Sequence, residues 1–213
     1  RRFKIIKGEL EKIDGKISEE LINIINSEIY NFGRPLTFKK NGEFNIECLD
    51  ELYFALFIIN FLKNNFFDEI VFIGDGAGFL SPLITSSVKF LNPSKITSYV
   101  IIDFFHFAIS TAIRNNMKNI RILLPEKLHE FKNNELLSGK LPLIKGKRLI
   151  INQDSFPEMS LISLRTYLKN TADETFVLSY NQLASNAGKN HCDHLEVLKE
   201  IGYKKIIMKH SKL

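Results

Sequence analysis

Apolar residues along this chain fall into two kinds of run that alternate, and the alternation predicts a fold before any single residue does. From 69 to 73 the sequence Glu-Ile-Val-Phe-Ile is nearly unbroken in its apolarity, and the segments 98–102, 120–124, 148–152, 175–180 and 204–208 share that character. Continuous β-branched runs without a polar alternate describe strands covered on both faces, hence a parallel sheet flanked by helices. Between them the spacing turns helical: 50–64, from 79 onward, 105–116, 157–168 and 194–201, the last halted by Gly202. Such an order predicts an α/β, doubly wound, mostly parallel sheet of Rossmann-like type over residues 66–213.

Residues 1–65 read as an N-terminal helical extension packed on that core. Leu21, Ile22, Ile24, Ile25 and Ile29 lie at helical spacing within 18–30, with Ser18 as the expected N-cap and Glu19 and Glu20 in the first turn. The stretch Asn31-Phe32-Gly33-Arg34-Pro35 breaks this helix, and Asn41-Gly42 marks a turn between short extended pieces.

Composition narrows the class. With 213 residues, 45% hydrophobic and 25% charged, the chain suits one domain with a full core. Cys48 and Cys192 are too few and too far apart for a disulfide framework, so a reducing, cytoplasmic setting is expected. The net charge of +5 is modest, and the basic concentrations at the two ends (Arg1, Arg2, Lys4, Lys7; Lys204, Lys205, Lys209, Lys212) carry no interleaved aromatic motif, so no nucleic-acid partner is expected. The longest apolar segment, 52–62, is about half a membrane span and contains Asn60. No signal-peptide pattern follows the basic start, and a chain beginning at Arg1 reads as a piece of a longer polypeptide.

The densest chemical signal is Ile73-Gly74-Asp75-Gly76-Ala77-Gly78-Phe79, where the first strand breaks into glycines at alternate positions. So bare a backbone, turning from strand to helix, lets a nucleotide-like ligand lie against it. A pyrophosphate turn wants G-x-G-x-x-G, whereas here the third glycine comes one residue early and Phe79 takes the last position. Gly74, Asp75, Gly76 and Gly78 are therefore candidate cofactor-binding residues.

Other candidates sit where the strands end, because ligands of such sheets bind beyond the carboxyl ends at the point of order reversal. The second strand ends at Asp103, 25 residues past Gly78, suited to accept both hydroxyls of an adenosine ribose or, more blandly, to cap the next helix. The fourth ends in Asn152-Gln153-Asp154-Ser155-Phe156-Pro157-Glu158-Met159. Ser155 and Glu158 have capping-box spacing with Pro157 early in the helix, while Asn152, Asp154 and Glu158 could equally line the site. A polar Asn152 closing an apolar strand needs partners. His191-Cys192-Asp193-His194 carries metal-ligand types, but Asp193 with Glu196 is a capping pattern and no remote ligand accompanies it, so no metal is expected. His191, on the loop after the fifth strand, is a candidate general base or else a surface histidine, and His106, just beyond Asp103, is expected to cap or contact the cofactor rather than take a proton. Phe156 and Met159 are expected in the core.

The glycine spacing resembles that of class I S-adenosylmethionine-dependent methyltransferases. The combination of Asn152-x-x-Ser155-Phe156-x-Glu158-Met159, Tyr167, a strand ending in Asn181, and the earlier Gly33-Arg34-Pro35 is similar to the bacterial sugar O-methyltransferase family, over roughly 33–203. The resemblance implies S-adenosyl-L-methionine as cofactor, held by Gly74, Asp75, Gly76, Gly78, Asp103 and Asn152. It implies methyl transfer to a saccharide or other small-molecule hydroxyl with no obligatory metal; Asn152 and Glu158 of the matching segment, and His191 by its place on the loop after the fifth strand, are the candidate catalytic residues, and acceptor choice is expected in the variable residues 126–147 and 182–190. Homo-oligomerisation is left open. Two departures stand out: Phe72 occupies the place where these enzymes carry Glu or Asp, and only one strand follows the last helix where two, one antiparallel, are usual. A catalytically inactive methyltransferase-like module is thus the first alternative, and an NAD-dependent oxidoreductase the second.

Overall fold

The computed structural model describes residues 2–31, 39–40, 44–45, 49–76, 78–91, 98–102, 110–111, 113–114, 120–124, 147–153, 155–156, 159–171, 175–181, 194–202 and 205–210. Helices α1 (Arg2–Lys12), α2 (Gly15–Asn26) and the single turn α3 (Glu28–Asn31) precede a two-residue ladder of β1 (Lys39–Lys40) and β2 (Phe44–Asn45), then α4 (Leu49–Asn64). The alternating part follows as β3 (Glu69–Ile73), α5 (Ser81–Leu91), β4 (Ser98–Ile102), β5 (Ile120–Leu123), β6 (Arg148–Gln153), α6 (Leu161–Thr171), β7 (Thr175–Asn181), α7 (His194–Ile201) and β8 (Lys205–His210).

The large sheet has six strands in the order β5-β4-β3-β6-β7-β8, with every neighbouring pair parallel. From β3 the chain runs outward to β5, crosses back, and fills the other side from β6 to β8, so the order reverses between β3 and β6. This is the doubly wound arrangement expected from the sequence. Strand β8 pairs parallel with β7, and among the described residues the sheet has no antiparallel member.

One face of the sheet presents Ile70, Phe72, Ile101, Leu149 and Ile151 to a continuous core shared with α1, α2, α4 and α5. Helix α4 buries Leu52, Phe54, Ala55, Leu56, Ile58, Ile59 and Leu62, which explains a helix apolar nearly all round. Each of the Leu, Ile and Phe side chains contributes about 1.5–3 kcal/mol on burial. Val71, Ile73 and Ile150 alternate to the opposite face of the sheet, and α6 and α7 pack on each other.

Three local expectations are corrected. The helix read over 18–30 is α2 plus α3: Asp14, not Ser18, is the cap, its carboxylate accepting the Lys16 N–H at 2.9 Å, and Ser18 already donates its own N–H to the Asp14 carbonyl at 3.0 Å. Ser27 then ends α2, its hydroxyl donating to the Ile24 carbonyl at 2.8 Å and accepting the Tyr30 N–H at 3.2 Å. The helix expected over 157–168 starts at Leu161, where the Ser160 hydroxyl accepts the Ser163 N–H at 3.1 Å. Helix α1 went unread because its charges are frequent, yet Ile6 and Leu10 are buried on one side of it.

Candidate functional site

The central ladder of β3 with β6 is fastened at both ends. At its N-terminal end the register partners Glu69 and Arg148 form an ion pair at 2.5 Å, and the Asp68 carboxylate accepts the Lys147 N–H at 2.7 Å. At its C-terminal end Ile73 is opposite Asn152. There the Asn152 side-chain amide donates to the Ile73 carbonyl at 3.1 Å, and its side-chain oxygen accepts the Phe156 N–H at 3.4 Å. The residue is 1% exposed, and the partners its position demanded are backbone groups of β3 and of the turn after β6. It acts as a positioning residue for both strand ends.

Ser155 likewise turns to the glycine turn. Its hydroxyl donates to the Gly74 carbonyl at 2.6 Å, while the capping-box partner Glu158 lies outside the described residues. Phe156 is fully buried, as expected.

Gly74, Gly76 and Gly78 all adopt positive φ, at 66°, 57° and 78°. A side chain at any of them would strain the backbone. Their surroundings differ. A Cβ on Gly74 would collide with the Ser155 side chain, and one on Gly78 would meet the Thr111 backbone and hydroxyl at 2.5 Å. Among the described residues, a Cβ on Gly76 would meet nothing within 4 Å. The turn is therefore packed at both ends and open in the middle, at the sheet's switch point, where a ligand of this fold class lies.

Asp75 sets the polarity of that opening. Its carbonyl accepts the Gly78 N–H at 3.0 Å, and its carboxylate oxygens face the Ser81 N–H at 3.3 and 3.4 Å, at the start of α5. Pro82 has no N–H, while the Leu83 and Ile84 amides both reach the Leu80 carbonyl at 3.1 and 3.3 Å. The amides that would cradle a pyrophosphate on the first turn of α5 are thus already engaged, and a carboxylate occupies the place an anion would take. The sequence signal for this was Asp75 between the glycines, together with Pro82 at the second helical position.

Phe79, the residue that breaks the dinucleotide pattern, packs edge-on against Tyr30 at 5.5 Å between ring centres, with the Arg114 guanidinium 4.3 Å above its ring. Thr111 and Arg114 belong to helical residues after β4, so that segment touches the turn twice. Neither contact was legible beforehand. Phe72 lies in the core at 1% exposure, pointing to the helical layer. Asp103, His106, Asp154, Glu158, His191, and residues 126–146 and 182–190 are outside the described residues. Among the described residues no cluster of three or more His, Cys, Asp and Glu could hold a metal ion, and no helix is long and apolar enough to cross a membrane.

The fold and turn together define the class as a Rossmann-like, doubly wound protein with a glycine turn at the switch point. No protein-family model matches the sequence, and no curated protein matches it. Among solved structures the chain is similar to a Podospora anserina methyltransferase bound to SAH, at 12% identity over 80% of this chain and 63% of that one, with a TM-score of 0.44. It is also similar to an O-methyltransferase family protein from Burkholderia thailandensis (13% identity, 78% and 49% covered, TM-score 0.35). A third is human N-acetylserotonin methyltransferase in complex with SAM (14% identity, 74% and 44% covered, TM-score 0.32). The chain spans between 44% and 63% of the length of these three proteins.

Proposed function

We propose that this chain is an S-adenosyl-L-methionine-dependent O-methyltransferase acting on a sugar hydroxyl, in bacterial surface-glycan or nucleotide-sugar metabolism. The observation that carries the cofactor is the glycine turn: open at Gly76, carboxylate-bearing at Asp75, and with the first amides of α5 already bonded. Such a turn suits a ligand with cationic character and repels a dinucleotide's pyrophosphate, which weighs against the oxidoreductase alternative. The sugar acceptor is supported by the Asn152-x-x-Ser155-Phe156-x-Glu158-Met159 resemblance.

When bound, the cofactor supplies an activated methyl group on a sulfonium, so the protein's task is alignment and proton removal. Gly76 leaves the floor of the site bare, and Asn152 and Ser155 hold the ends of β3 and β6 at fixed separation. Asp103 accepts the ribose hydroxyls. Glu158 or His191 takes the proton of the acceptor hydroxyl, and residues 126–147 and 182–190 select the acceptor. A second reading, a cofactor-binding module without catalysis inside a larger glycan-synthesis protein, draws on Phe72, which puts an apolar core residue where related enzymes carry a carboxylate.

Incubation with methyl-labelled S-adenosyl-L-methionine and a panel of free and nucleotide-linked sugars tests both. Label is expected on a saccharide, with the rate falling on the order of 10²- to 10⁴-fold in Glu158→Gln or His191→Ala, whichever removes the base. Cofactor binding without transfer to any acceptor would favour the second reading. Transfer only to phenols or amines would overturn the sugar.

A further inference from the structure

Tyr30 belongs to the short helix α3, 49 residues before Phe79, yet it supports the turn's exit directly. Its hydroxyl donates to the Phe79 carbonyl at 2.7 Å, and its ring meets the Phe79 ring edge-on. Arg114 closes the arrangement from the other side: its Nε donates to the Tyr30 carbonyl at 3.2 Å, another guanidinium nitrogen donates to the Ser110 carbonyl at 3.4 Å, and the guanidinium covers Phe79. Tyr30 is 1% exposed, so this is a fixed contact rather than a surface one.

Phe79 follows Gly78 directly, and the Gly78 N–H closes the turn on the Asp75 carbonyl. Holding the Phe79 carbonyl therefore restrains the peptide groups that decide where Asp75 and Gly76 stand. We propose that Tyr30 and Arg114 form a latch through which the N-terminal extension sets the shape of the glycine turn, and with it the affinity for the nucleoside ligand. Tyr30 and Arg114 are positioning residues; neither is assigned a contact with ligand. The affinity half of the proposal rests on the cofactor reading above, whereas the effect on the turn does not.

Tyr30→Phe removes one hydroxyl and keeps the ring; Arg114→Gln removes the cation and serves as the second variant. Two measurements on the whole chain separate the outcomes. In hydrogen exchange the amides of Gly78 and Ser81 are expected to exchange faster in both variants, while those of β7 and β8 stay unchanged. In calorimetry with S-adenosylhomocysteine the affinity is expected to fall about fivefold for Tyr30→Phe, with an unligated melting temperature lowered by about 2–4 °C, as for loss of one neutral hydrogen bond. Unchanged exchange at 78 and 81 together with unchanged affinity would overturn the latch. Faster exchange with no binding even by wild type would keep the latch's hold on the turn and overturn the cofactor reading along with the affinity half. Loss of protection across the whole sheet would make Tyr30 and Arg114 general supports of the fold and overturn the proposal.

Discussion

Gly74 and Gly78 at the ends of the turn, and Gly76 in its middle, share one residue type and one backbone conformation but not one reason for being glycine. At the ends, neighbouring segments press in: Ser155 against Gly74 and Thr111 against Gly78. In the middle a side chain would meet none of the described residues. The ends serve packing and the middle is where the proposed ligand would approach, so the glycine motif divides between packing positions and the proposed site.

Substitutions sharpen or break this division. Gly78→Ala is expected to cost the most, about 2–5 kcal/mol, because left-handed strain adds to overpacking against the Thr111 backbone. Urea unfolding measures it, and a loss no larger than that of Gly76→Ala would erase the distinction. Asn152→Ala follows at about 1–3 kcal/mol, since the Ile73 carbonyl and the Phe156 N–H both lose a buried partner. Gly76→Ala is expected to cost only the backbone strain, about 1–2 kcal/mol, while weakening S-adenosylhomocysteine disproportionately; a stability loss without an affinity loss would move the ligand away from the middle of the turn. Ser155→Ala comes last, at about 0.5–1.5 kcal/mol for one neutral hydrogen bond, and it should soften the penalty of Gly74→Ala in the double variant, because the colliding side chain is then smaller.

The strands were legible because burial on both faces leaves no ambiguity in an apolar run: β3, β4 and β6 lie within one residue of their expected bounds. Helix starts were less so. Ser18 and Ser155 have the residue type and spacing of caps, but Asp14 reaches the helix end first and Ser155 is drawn to Gly74, a partner 81 positions away that no local pattern reveals. Within the site, the glycines and the need of Asn152 for partners could be read from the chain. The division of the glycines, the engagement of the α5 amides by Asp75, and the Tyr30–Phe79–Arg114 contacts depend on segments brought together only by folding.

The central claim is that the turn accepts an S-adenosyl nucleoside and refuses a dinucleotide's pyrophosphate. Calorimetric titration of the protein with S-adenosylhomocysteine and, separately, with NAD tests it most directly. Saturable binding of the former with none of the latter is predicted; binding of NAD in the absence of S-adenosylhomocysteine binding would contradict it.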